Sequence, residues 1–350
     1  MPKLQWIKIV MMMLPLFLVS FAPAAASDAD HKGWYLAVEA ASTTPGNVDT
    51  PLLASAPPYF ATTGLVDLES NVTYTDFDSG LAGGVTFGYS WGSSGRLQVS
   101  YWSYSDDQDH AGFEAYYPNF NFFTVGPVGS FYYGVYYDVG FNINQELEAS
   151  TIDIEYKRPV EMESSNLTVM WGIGLRYAEF EDELEGQYVL DPGSGDYRFP
   201  VSREIESEGF GFTGSVGVAY DFPSEIVGIS SNLRVGFLVS DVDAHHSFQD
   251  LDGYYATTGL KVTESSSMED GVTTTMDFDA GVVLHAGEKL DFDLGWYFSI
   301  WTGMADVALS RRDLLYEGCA CESLVSPTIQ GEDRERISFS GPKIRARFRF

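Results

Sequence analysis

Four basic side chains stand at alternate positions in the closing stretch PKIRARFRF: Lys343, Arg345, Arg347 and Arg349. Ile344, Ala346, Phe348 and Phe350 fall between them. A strand points successive side chains to opposite faces, so this stretch has one cationic and one apolar face. A ladder of cations needs counter-charge if it faces inward. The acids that alternate in the same way are Asp291 and Asp293, Asp277 and Asp279, Asp153 and Glu155, and Glu39 in GWYLAVEAA. Arg176 and Arg234 are further cations inside alternating segments. Opposite charges facing each other on neighbouring strands pair well.

Other chemistry is thinner. VSDVDAHHSFQD brings Asp241, Asp243, His245 and His246 together, a set that could support hydrolysis or hold a metal. Hydrolysis needs partners from other segments, and no complementary acidic pair is recognisable by motif. Adjacent His side chains in a strand point apart, which weakens the metal alternative. A solvated segment with incidental His is the expectation, with no catalytic, metal or cofactor-binding residue. Gly172 and Gly174 lie in a strand pattern and open no helix, so they are not a nucleotide fingerprint. Cys319 and Cys321 form CAC. In an oxidising compartment they would form a strained local disulfide or a bridge between subunits of a homo-oligomer.

What must position these groups is a β-rich chain. It has 350 residues, a formal charge of −30, 24 Phe, 21 Tyr and 35 Gly. The acidic balance argues against nucleic-acid binding, which needs a basic surface. The aromatic and hydrophobic content argues against disorder. At the start, Lys3 and Lys8 precede the apolar run Ile9–Phe21 and the small residues Ala24-Ala25-Ala26. That is the pattern of a secretory signal peptide over 1–26, cut after Ala26, leaving residues 27–350 exported.

Alternation then recurs along the chain. Segments 33–41, 80–91, 96–104, 146–156, 167–177, 210–222, 233–239, 276–284, 290–300 and 342–350 each carry one apolar and one small or polar face. In LTVMWGIGLRY, Leu167, Val169, Trp171, Ile173, Leu175 and Tyr177 share one face, and Thr168, Met170, Gly172, Gly174 and Arg176 the other. The connections alternate between short turns and long stretches near 42–78, 105–145, 180–206, 241–272 and 303–335. Short turns on one side and long loops on the other are the asymmetry of an outer-membrane barrel. Aromatics at strand ends, among them Trp34, Trp91, Trp296, Trp301 and Phe350, suit interfacial girdles. The expectation is an all-β, up-and-down antiparallel transmembrane barrel of about ten strands, with short periplasmic turns and long extracellular loops. The aromatic stretch 115–142 leaves twelve strands as the alternative.

The signal peptide, GWYLAVEA, LTVMWGIGLRYAEFE followed by a loop and GFGFTGSVGVAYDF, and the Phe-terminated last strand resemble the Legionella-type major outer membrane protein family. The resemblance implies a pore-forming barrel in the outer membrane of a Gram-negative bacterium, with no catalytic residues. The last strand also resembles the signal read by the outer-membrane assembly machinery, through Ile344, Ala346, Phe348 and Phe350. The lumen charges would then tune a narrow path for small polar solutes or ions, or else plug it. The alternative is a non-conducting barrel whose acidic loops bind a surface partner such as lipopolysaccharide.

Overall fold

The computed structural model describes residues 32–46, 51–54, 72–74, 77–114, 121–125, 129–133, 138–160, 166–191, 197–223, 226–249, 261–303 and 336–350. In chain order these form β1 (Lys32–Gly46), β2 (Pro51–Ala54), β3 (Val72–Tyr74), β4 (Gly80–Trp91), β5 (Arg96–Glu114), β6 (Asn121–Val125) and β7 (Gly129–Tyr133). There follow β8 (Asp138–Val160), β9 (Leu167–Asp191), β10 (Tyr197–Asp221), β11 (Val227–Gln249), β12 (Lys261–His285), β13 (Leu290–Thr302) and β14 (Arg336–Arg349). Ten of them close into one barrel, in the order β1-β14-β13-β12-β11-β10-β9-β8-β5-β4. Every pairing is antiparallel, and β14 meets β1 in the register Glu39↔Arg345 and Val38↔Ala346. Closure pairs both edges that an open sheet would leave free. The backbone N–H of Phe350 donates to the Trp34 carbonyl at 3.0 Å, tying the last residue into the seam.

Ten strands, not twelve, make the wall. β6 and β7 pair only with each other, as do β2 and β3. With five residues each, β6 and β7 are shorter than the roughly 9–11 residues that a tilted strand needs to cross a bilayer.

One end of the barrel has short connections: the 3-10 turn Gly92–Ser94 between β4 and β5, residues 222–226 between β10 and β11, and 286–289 between β12 and β13. Next to this end, the outward face is apolar all round. Phe87, Val99, Ile154, Ile173, Phe212, Val216, Leu233, Phe278, Leu294, Trp296 and Ile344 are exposed there. β-branched and aromatic residues favour the pleated backbone, and a continuous apolar exterior is stable only in hydrocarbon. The fold is a transmembrane barrel.

The long connections are shorter than the sequence suggests. β8 to β12 have 23 to 25 residues, about twice what a crossing requires. Residues 105–114, 138–145, 180–191, 197–206, 241–249 and 261–272, expected in loops, are strand. Alternation continues there, but the two faces exchange chemistry. Glu146, Glu148, Glu179, Glu181, Glu183, Glu204, Glu206 and Glu208 take the outward positions. Leu147, Ala149, Phe180, Leu184, Val201 and Ile205 take the inward ones and are buried. An apolar-outward criterion stops at the edge of the membrane belt, whereas the hydrogen-bonded ladder does not.

Trp301 is the second correction. Trp34, Trp91, Trp296 and Phe350 are exposed on the outer surface, but Trp301 is only 1% exposed and lies inside. It shares the parity of Asp291 and Asp293, not that of Trp296.

Candidate functional site

The lower interior, inside the membrane belt, is a network of charges. β8 aims Asp153, Glu155 and Lys157 inward, β9 Arg176 and β11 Arg234. Arg176 donates from Nε and Nη2 to the two carboxylate oxygens of Asp153, at 2.8 and 3.0 Å. Its guanidinium also reaches Asp277 and the Thr275 hydroxyl on β12. Arg234 runs the other way, to Asp153 at 2.8 Å and Glu155 at 3.1 Å on β8. Each arginine thus crosses two intervening strands of the wall. Small inward residues leave the room. A Cβ on Gly172 would lie 2.7 Å from Glu155 Oε1 and 2.5 Å from Ser215 Oγ.

The closing ladder meets its acids on the adjacent strands β1 and β13 and, one strand further, on β12. Lys343 Nζ lies 2.8 Å from Asp279. Arg345 pairs with Glu39 at 2.7 Å and approaches Asp293 at 3.8 Å. Gly84 makes this possible, because a Cβ there would lie 2.9 Å from Glu39 Oε1. At the short-turn end Arg349 pairs with Asp291. Arg347 stands opposite Asp291 in the register and lines the cavity. Ile344 and Phe350 are exposed on the outer face, on the same side as Ala346 and Phe348.

The structure therefore brings Glu39, Asp153, Glu155, Arg176, Arg234, Asp277, Asp279, Asp291, Asp293, Lys343, Arg345, Arg347 and Arg349 into one lumen. Sequence reasoning missed several members. Lys157, one residue past the segment 146–156 expected as strand, belongs to β8 and pairs with Glu155 at 3.2 Å. Gln98 links Tyr35 to Glu155 through hydrogen bonds of 2.9 and 3.1 Å. His285 bridges Asp291 at 2.8 Å and Asp221 at 3.2 Å. Their inward parity was the available signal.

These charges surround a cavity of about 180 Å³ that extends toward the short-turn end, where Asp221, His285, Asp291 and Arg349 line it. Above it, the interior changes character. Trp102, Tyr104, Leu147, Ala149, Ala178, Phe180, Ile205, Leu238, Trp301, Ile337 and Phe339 form one contiguous apolar layer. With Ala41, Ala82, Met268 and Tyr297, all ten barrel strands contribute to it. Trp102 packs against Phe339 at 5.6 Å, Tyr297 at 5.6 Å and Trp301 at 6.3 Å between ring centroids. Phe339 and Leu147 have no exposed surface at all. A water-filled passage through the layer would leave such residues wet, so the layer is shut in this conformation.

The outward face of the upper strands forms an acidic grid. Register places Asp107, Glu146, Glu183 and Glu204 in one row, and Glu148, Glu181, Glu206 and Asp243 in the next. Partial burial and neighbouring carboxylates raise Glu146, Glu181 and Glu183 above the ordinary carboxylate value. Glu181, Glu204 and Glu206 have carboxylate oxygens within 4.8 Å of one another, close enough to hold a hard cation. Asp241, Asp243 and His245 belong to β11 rather than to a loop, and all three are exposed on this face. His246 lies in β11, with its side chain outside the described residues, as are Ala26, Cys319 and Cys321 altogether.

No family model and no curated protein matches the chain. Among solved structures, the outer membrane protease OmpT from Escherichia coli is similar over 95% of this chain and 99% of its own, at 9% identity and a TM-score of 0.43. The Pseudomonas putida toluene transporter TodX aligns over 93% of this chain and 90% of its own, at 6% identity and a TM-score of 0.28. CymD, a monoaromatic hydrocarbon channel, aligns over 91% and 89%, at 8% identity and a TM-score of 0.25. Nothing about activity follows from likenesses of this size.

Proposed function

We propose that the protein is a channel-like barrel of the Gram-negative outer membrane, a narrow porin that passes small polar solutes or ions. It would be exported through a cleaved signal peptide and inserted by the assembly machinery that reads Phe350 and the apolar face below it. It would be a pore-former of the Legionella-type major outer membrane protein kind, without enzymatic activity. The observation that carries this is the charge-lined cavity, which extends to the short-turn end beneath the apolar layer. A purely structural barrel could fill this space with packed apolar side chains and avoid the cost of desolvating charges. In this barrel the layer is the gate, and conduction requires its rearrangement. Single-channel recording on the folded protein in planar bilayers tests the proposal. Rare, small openings are expected from the native chain. Absence of conductance from the native protein and from a Trp102→Ala/Phe339→Ala variant would remove the pore.

The acidic grid favours a second reading, a non-conducting barrel whose upper sheet binds lipopolysaccharide phosphates through divalent cations. Eight Glu to Gln substitutions across Glu146, Glu148, Glu179, Glu181, Glu183, Glu204, Glu206 and Glu208 would then abolish calcium-dependent binding of lipopolysaccharide vesicles. Unchanged binding would discard it.

A further inference from the structure

One hydrogen-bond chain runs from the apolar layer into the charge network. The buried Trp301 indole donates from Nε1 to Ser299 Oγ at 2.8 Å. Ser299, with no exposed surface, donates its only proton to Asp277 Oδ1 at 2.7 Å. The other oxygen of Asp277 is held by Arg176, and Arg234 approaches it at 3.7 Å. Both arginines are anchored on the far side of the wall by Asp153.

We propose that Trp301–Ser299–Asp277 is the latch that holds the apolar layer shut. This rests on the channel reading above. Trp301 packs on Phe339 at 5.6 Å and faces Trp102 at 6.3 Å, so its ring position decides whether the layer closes. An indole N–H buried among apolar groups is costly unless it is satisfied. Ser299 lies two residues back on the same inward face, the nearest position of that parity along β13. Because the hydroxyl proton is directed to a carboxylate, both bonds in the chain point toward negative charge, which strengthens them. Asp277 and Arg176 also line the cavity. An ion or solute entering the cavity therefore meets the carboxylate on which the latch depends. A cation that competes with Arg176 for Asp277 would draw the carboxylate from Ser299, release the hydroxyl to rotate and loosen its hold on the indole.

The test is single-channel recording on the full-length barrel, with heat-modifiable gel mobility as the check that each variant is folded. Trp301→Phe keeps a ring in the layer but removes the N–H. Ser299→Ala removes the relay. Both should raise the frequency of openings about fivefold, the factor expected for losing one net hydrogen bond, with conductance per opening unchanged. Ser299→Thr restores the hydroxyl and should return the native frequency. Trp301→Ala, which opens the layer outright, should conduct most. Gln187→Ala, at an exposed outward position high on β9, serves as the control. Conduction by Trp301→Ala with native behaviour of Trp301→Phe and Ser299→Ala would overturn the latch and keep the pore. Silence from every variant, Trp301→Ala included, would overturn both.

Discussion

The lower and upper halves of the barrel wall are built by the same strands and have opposite cross-sections. On β9, Ile173 and Leu175 face lipid while Arg176 faces the lumen. A few residues further, Glu179 and Glu183 face out while Phe180 and Leu184 face in. Backbone pairing is continuous through the change. The surroundings therefore decide which chemistry each face carries, and the strand does not. In hydrocarbon the exterior must be apolar, so the wet or paired groups collect inside. Above the membrane, water takes the exterior and the interior becomes an ordinary apolar core.

Each prediction attacks or refines this contrast. The largest effect is expected from Arg176→Met, which removes the guanidinium that bridges Asp153 and Asp277 in the lower interior. Breaking a buried pair costs about 3–5 kcal/mol, measured as a drop in the urea midpoint of the barrel in lipid vesicles. A native-like midpoint would mean that the lower network is dispensable. Next comes a pair of substitutions on the outward face of β10. Phe212→Arg places a charge in the lipid belt and should cost about 2–4 kcal/mol. Glu206→Arg, six residues away in the acidic grid, should change stability by less than about 0.5 kcal/mol. Equal costs at the two sites would erase the boundary between the halves.

The upper half offers the converse experiment. Arg203 and Asp182 form a buried ion pair beside Leu184, Val201 and Ile205, and the buried Gln145 amide donates to Asp182 at 2.7 Å. Replacing Arg203, Asp182 and Gln145 together with Met, Leu and Leu should be neutral or stabilising by about 1–4 kcal/mol, because no buried polar group is then left without its partner. The smallest effect is that of pH on the acidic grid. Burial, then the adjacent carboxylates, raise Glu146, Glu181 and Glu183 above the ordinary value of 4.5. For these acids the folded state binds the proton more tightly than the unfolded chain. Their contribution is fully present below 4.5 and is lost as pH rises through their raised folded values. Hydrogen-exchange protection of residues 141–150 and 179–189 should therefore increase modestly as pH falls from neutral, and the gain should shrink at high salt. Protection that falls on acidification would contradict the sign.

Most of the lower half was legible in the sequence, because period-two alternation reports parity directly. Asp291, Asp293 and the basic ladder could be placed face to face from antiparallel order alone. Lys157 escaped because Pro159 and the charged run beside it look like a turn. The upper strands escaped because their outward face is acidic, and a run such as EFEDELEGQ reads as a solvated loop when apolar-outward alternation is the criterion. The apolar layer escaped because Trp102 on β5 meets Trp301 and Phe339, on the paired strands β13 and β14, only across the lumen.

The sequence by itself determined the strand-forming alternation, the parity of each charged side chain and the antiparallel meander, since these follow from local geometry and connection length. The tertiary structure alone decided which acid each arginine reaches, how far the wall rises beyond the membrane and whether the lumen is shut. Those outcomes depend on distances across a closed ring, set by shear and by the small residues that let Arg176 and Arg234 cross. No spacing along the chain encodes them.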